Sequence, residues 1–135
     1  MNPSSNKEDL SSQPDGALIY IVDDEPLLVD LAELALQADG YRIKKFYAGA
    51  TALKSLAAES SLPALLLTDY AMNPMNGVEL AEQFKRIHPG LKIIMVSGTA
   101  GPEIVVSAPV KIDHFLQKPY RPTELIELVR TVLAE

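Results

Sequence analysis

The sequence predicts an α/β fold, a five-stranded parallel sheet with helices on both faces, and three observations carry that prediction. Apolar runs of strand length, Ala17 to Val22 (ALIYIV), Leu65 to Thr68 (LLLT) and Leu91 to Val96 (LKIIMV), lack the alternation of a half-exposed sheet and so read as strands buried on both sides. Between them lie stretches whose apolar residues recur at helical spacing. Strands that alternate with helices join through right-handed crossovers into a parallel sheet. At 135 residues the chain fits one such domain.

Taken in order, residues Met1 to Gly16 hold four serines, two prolines and a single aliphatic residue after the initiator, Leu10, too little to offset the entropy of ordering. They are expected to form a flexible tail, with the domain spanning 17–134. The first strand, Ala17 to Val22, stops at Asp23-Asp24-Glu25-Pro26. Pro26 to Asp39 follows as a helix whose apolar stripe is read as Leu27, Leu28, Leu31, Leu34, Ala35 and Ala38, with Gly40 suited to the left-handed position that ends it. Tyr41 to Phe46 mixes Tyr41, Ile43 and Phe46 with basic residues, as an edge strand does.

Ala50, Leu53, Leu56 and Ala57 mark a short second helix before Pro63 and the central strand, Leu65 to Asp69. After the turn residues Asn73, Pro74, Asn76 and Gly77, a third helix carries Val78, Leu80, Ala81, Phe84 and Ile87 and stops near His88-Pro89-Gly90. The fourth strand ends at Ser97-Gly98-Thr99. From Ala100 to Asp113, Pro102 suits a first helical turn but Pro109 breaks any helix seven residues later, so a short or irregular fourth helix is expected. His114 to Gln117 is a fifth strand running into Lys118-Pro119, and Leu125, Leu128, Val129 and Val132 give a last amphipathic helix entered through Pro122. The whole is a flavodoxin-like doubly wound sheet of strand order 2-1-3-4-5.

Composition narrows the function. Hydrophobic residues at 47% and charged residues at 22% match a soluble globular protein, and no apolar run approaches the roughly 20 residues that cross a bilayer. A cytoplasmic protein without membrane insertion is expected. A net charge of -6 repels a phosphate backbone, so direct nucleic-acid binding is not expected. With no cysteine there is no disulfide or thiolate metal site, and His88 and His114 are too far apart in sequence for a helical metal pair.

The strand order brings Asp23, Asp24, Asp69, Ser97 and Lys118 to one edge of the sheet, the edge where ligands of open parallel sheets bind. Two carboxylates about 5 Å apart repel by roughly 3 kcal/mol at an effective dielectric of 20, and Lys118 offsets only part of that among three. A hard divalent cation supplies the remainder, and an oxygen-only site with room for water suits Mg²⁺. Mg²⁺ beside an exposed aspartate is the arrangement for carboxylate attack on a phosphoryl group, with Asp69 as nucleophile and Ser97 and Lys118 as donors to the phosphoryl oxygens. Ala71 and Thr99 flank the site and are expected to tune water access.

These residues resemble the receiver domain of bacterial two-component response regulators, over a match from about Ala17 to Ala134. The motifs that carry it are Asp23-Asp24 after strand one, Asp69 followed by Met72, Met75 and Gly77, Ser97-Gly98 after strand four and Lys118-Pro119 after strand five. The resemblance implies that Asp69 is the phosphoacceptor, that Asp23, Asp24 and Asp69 bind Mg²⁺ with the backbone carbonyl of Ala71, that Ser97 is a switch hydroxyl and Phe115 the aromatic that turns with it, and that the Lys118–Pro119 bond is cis. It further implies a phosphoryl donor that is a histidine kinase or histidine phosphotransfer protein, a downstream protein partner, and a monomer or a phosphorylation-dependent dimer. Three positions depart from the pattern: Asn73 stands where proline is usual, with Pro74 after it; Pro109 interrupts the fourth helix; and Arg121 precedes the last helix in place of a capping Asn or Asp.

The expected function is therefore a stand-alone receiver that is no enzyme beyond its own aspartyl phosphorylation and dephosphorylation. It would signal through the surface of the fourth helix, fifth strand and last helix. Two readings compete: a receiver-like module that binds without phosphorylation, and a small Mg²⁺-dependent phosphatase with an aspartyl nucleophile. The blander readings make Asp24 the N-cap of the first helix, Asp69 a strand terminator, Lys118 a solvated lysine, Ser97-Gly98 a strand end and Phe115 a core residue.

Overall fold

The computed structural model describes residues 16–135, and the tail expected at Met1 to Gly16 lies, but for Gly16, outside the described residues. Five strands and five helices alternate: β1 Leu18–Val22, α1 Pro26–Ala38, β2 Arg42–Phe46, α2 Gly49–Ala58, β3 Leu65–Asp69, α3 Gly77–Ile87, β4 Lys92–Ser97, α4 Glu103–Val106, β5 His114–Gln117 and α5 Pro122–Ala134. All strand pairs are parallel, and the order across the sheet is β2-β1-β3-β4-β5, the predicted 2-1-3-4-5. In this doubly wound α/β sheet β3 is central and every one of its residues is buried.

The sheet separates two apolar layers. On one face Ile19, Ile21, Leu65, Leu67, Ile94 and Val96 pack against Val29, Ala32 and Leu36 of α1 and Leu125, Val129 and Val132 of α5. On the other, Tyr20, Val22, Leu66, Ile93 and Met95 meet Ala52 and Leu56 of α2 and Leu80, Ala81 and Phe84 of α3. Each fully buried aliphatic or aromatic side chain contributes about 1.5–3 kcal/mol relative to exposure. The outer strand β2 has no fully buried residue, and its Lys44 and Lys45 pair with Glu59, Asp30 and Glu33 at 2.9 to 3.2 Å, charges that discourage a further strand from adding there.

Two local expectations and one of the blander readings need correction. The apolar stripe read on α1 faces outward: Leu27, Leu31 and Leu34 are 69%, 53% and 65% exposed, while Val29, Ala32 and Leu36 face the sheet. Both rows satisfy helical spacing, and the row with small Ala32 at its middle lets the helix lie close to the strands. On α2 the inward row is Gly49, Ala52 and Leu56, with Ala50 and Ala57 exposed. The N-cap of α1 is Glu25 and not Asp24, and no side chain caps that end.

Elsewhere the local chemistry follows the residues. Gly40 has φ of 96° and ends α1 in the left-handed region, where a Cβ is costly. The fourth helix is the single turn that Pro109 allows, with no buried residue. Arg121 makes no side-chain cap for α5, but Glu124 reaches back to accept the Arg121 backbone N–H at 2.8 Å. None of the described helices is long and apolar enough to cross a membrane.

Candidate phosphoryl-acceptor site

The carboxyl ends of β1 and β3 lie side by side because β1 and β3 pair, with Val22 opposite Thr68. That register sets Asp23 beside Asp69. Asp24 completes a group of three carboxylates, each offering an oxygen within 4.8 Å of the others. Asp23 and Asp69 are buried and Asp24 is exposed. From β5, two strands away from β3, Lys118 reaches across and puts its Nζ 3.0 Å from Asp23 and 3.1 Å from Asp69. A third carboxylate, Glu25, is 3.3 Å from the same ammonium.

Electrostatics at this edge is that of anions held short of charge balance. Burial, and then repulsion from Asp23, push Asp69 up to about 6 in spite of Lys118. Asp23 is raised as well, again by burial first, with the Glu25 backbone N–H and Lys118 pulling the other way. Burial would draw the Lys118 ammonium down, but its bonds and attraction to Asp23 and Asp69 outweigh that and hold it above the ordinary lysine range. The donor set here fits Mg²⁺: three oxygen ligands, no nitrogen or sulfur among them, and a carboxylate charge that one lysine leaves in excess.

The backbone around Asp69 is fixed from the far side. The Tyr70 N–H donates to the Val96 carbonyl at 2.8 Å, and the Gly77 N–H returns to the Tyr70 carbonyl at 2.9 Å. A Cβ on Gly77 would run into the Asp69 carbonyl oxygen and the Met95 sulfur, so only glycine lets α3 begin this close to β3. Asn76 and Glu79 form a reciprocal capping box on α3, both bonds 2.9 Å, a pattern legible as Asn-x-x-Glu that sequence reasoning passed over. The bonds Lys118–Pro119 and Asn73–Pro74 are both cis; only the first was expected.

The other predicted residues have partners of their own or lie on the flanking loops. Ser97 is fully buried at the end of β4, and its hydroxyl oxygen accepts the N–H groups of Thr99 at 3.2 Å and Ala100 at 3.0 Å. Phe115, opposite Met95, is half-buried against the α2/α3 layer. Ala71 and Thr99 are exposed on the flanking loops. The histidines lie elsewhere, His88 against the Pro63 carbonyl and His114 against Glu135. Sequence reasoning missed Glu25 as a partner of Lys118. It also missed an apolar groove of about 740 Å³ between α1 and the start of α5, whose walls include Leu31, Leu34, Tyr120 and, at its site end, Gly98 and Lys118.

Comparison with known proteins places this geometry. The chain is similar to a response regulator receiver domain protein (CheY-like) from Methanospirillum hungatei JF-1, at 31% identity and a TM-score of 0.80, covering 87% of this chain and 94% of that one. It is 30% identical over 118 residues to the DNA-binding transcriptional regulator NtrC of Escherichia coli K12, covering 87% of this chain and 25% of NtrC. It is 25% identical over 116 residues to the transcriptional regulatory protein CreB of the same organism, covering 85% of this chain and 50% of CreB. The chain thus spans between a quarter and a half of the length of these curated relatives. The family model for the response regulator receiver domain matches residues 19–130, from the first strand into the last helix, and the chain belongs to that family.

Proposed function

We propose that this receiver domain accepts a phosphoryl group on Asp69 from a phosphohistidine of a histidine kinase or phosphotransfer protein. The observation that carries the reading is the sharing of Lys118 between Asp69 and Asp23, with Asp24 close by. An Asp69 carboxylate oxygen attacks phosphorus, the P–N bond breaks, and the imidazole leaves with the electron pair. Lys118 is already within reach of the phosphoryl oxygens that gain charge. Asp23, Asp24, Asp69 and the carbonyl of Ala71 would hold Mg²⁺, which when bound supplies further charge neutralisation at those oxygens.

The resting bonds of Ser97 suggest how the event spreads. If the hydroxyl turns to donate to the phosphoryl group, it gives up the N–H groups of Thr99 and Ala100 and loosens the loop that leads into α4. Phe115 would follow, altering the surface of α4, β5 and α5 for a protein partner. The donor protein approaches from the α1 side, where the apolar groove and the exposed leucines adjoin Lys118. That donor goes with a cytoplasmic setting, and the domain turns over no substrate beyond its own aspartyl phosphate. Intact mass after incubation with acetyl phosphate tests the reading: wild type gains one phosphoryl group only with Mg²⁺, and Asp69→Asn gains none. A folded wild type that gains none would favour the module that binds without phosphorylation.

A further inference from the structure

Glu25 occupies an uncommon place for a residue at the start of a helix. As the N-cap of α1 it stands where a side-chain oxygen would bond the free N–H groups, yet it makes no such bond. Its carboxylate turns to Lys118, at 3.3 Å, while its backbone N–H donates to Asp23 at 3.0 Å. Of the three carboxylates on Lys118, those of Asp23 and Asp69 are buried, and the Glu25 side chain is 62% exposed. Glu25 therefore holds the solvent-facing bond of the ammonium.

We propose that Glu25 is an anionic gate on the phosphoryl site, a carboxylate that occupies Lys118 at rest and is displaced by the oxygens of the incoming phosphoryl group. The proposal rests on Asp69 as the acceptor. When acetyl phosphate reacts, the Asp69 Oδ–P bond forms, the P–O bond to the acetyl group breaks and acetate leaves with the electron pair; Lys118 stays protonated and exchanges Glu25 for a phosphoryl oxygen. The Glu25 charge, set free beside a dianion, repels the bound donor as it repels the transition state. Such uniform repulsion raises KM and leaves kcat nearly unchanged. Lying at the surface, it also weakens as salt rises.

Glu25→Gln keeps the shape and removes the charge. Phosphorylation by acetyl phosphate with Mg²⁺, followed by intact mass across donor concentration, should show KM lowered about three- to tenfold with kcat within about twofold, and the gain should shrink at high salt. Beryllofluoride, titrated with Mg²⁺ and followed by amide chemical shifts, should bind the variant tighter by a similar factor. An unchanged KM with unchanged beryllofluoride affinity overturns the gate. So does slower phosphorylation with a higher Mg²⁺ requirement, which would make Glu25 a ligand of the ion. If neither protein takes a phosphoryl group, the acceptor reading fails and the gate falls with it, whereas a wild type that is phosphorylated beside a variant of unchanged KM overturns the gate alone.

Discussion

The loops that leave β3 and β4 start as neighbours, Asp69 in register with Val96, and are held in opposite ways. After β3 the chain is pinned at Tyr70, at Gly77 and through the Asn76/Glu79 capping box, and α3 then buries Leu80, Ala81 and Phe84. After β4 the Ser97 hydroxyl takes two N–H groups, and α4 is a single turn without a buried residue or a side-chain cap. Rigidity is concentrated where like charges must be kept together, and the more lightly anchored segment is held by the two bonds of the Ser97 hydroxyl and by partly buried side chains alone. A large conformational change on the acid side would cost the packing of fully buried side chains; on the other side it costs two hydrogen bonds and the partial burial of Ile104 and Val105.

The comparison breaks most readily at Gly77. Gly77→Ala forces α3 away from β3 and should cost about 1–3 kcal/mol or more in denaturant unfolding, together with loss of phosphorylation by acetyl phosphate. Wild-type stability in that variant would show that the acid side yields as easily as the other.

A second test concerns the charge this region holds. Because burial and Asp23 raise Asp69 to about 6, above its ordinary value, its contribution to stability is complete below about pH 4 and is lost as pH rises through 6. Asp69→Asn should therefore stabilise the metal-free protein by roughly 1–3 kcal/mol at pH 8 and by little at pH 4, with Mg²⁺ narrowing the gap at pH 8. Thermal unfolding at the two pH values measures it, and an equal effect at both would refute the assignment of strain to Asp69.

The smallest effects set the two loops directly against each other. Asn76→Ala removes one half of the capping box and should cost about 1 kcal/mol. Val106→Asn, on the exposed side of α4, should stay within about 0.5 kcal/mol. Comparable losses in the two would mean that α4 is anchored as firmly as α3.

What could be read in advance follows from where information sits in a chain. β1, β3 and β4 were legible because burial on both faces leaves an unbroken apolar run, and five alternations of strand with helix imply a parallel doubly wound sheet. The one-turn α4 was legible because Pro109 forbids more. The face of α1 was not: Leu27, Leu28, Leu31 and Leu34 outnumber the inward residues Val29, Ala32 and Leu36, so bulk pointed the wrong way and only docking against the sheet decides. The meeting of Asp23, Asp24, Asp69 and Lys118 follows from strand order, whereas the turn of Glu25 toward Lys118 and the close approach behind Gly77 depend on tertiary distances that no local pattern carries.

Lys118 and Asp23 are bonded across 95 residues of sequence. During synthesis the acids of the first and third strands therefore leave the ribosome well before their counter-ion does. Until β5 docks beside β4, Asp23 and Asp69 face each other without the ammonium, and the nascent chain has every reason to keep that edge open. Docking of the last strand then supplies the ammonium that Asp23 and Asp69 share, with α5 still to close over that face of the sheet.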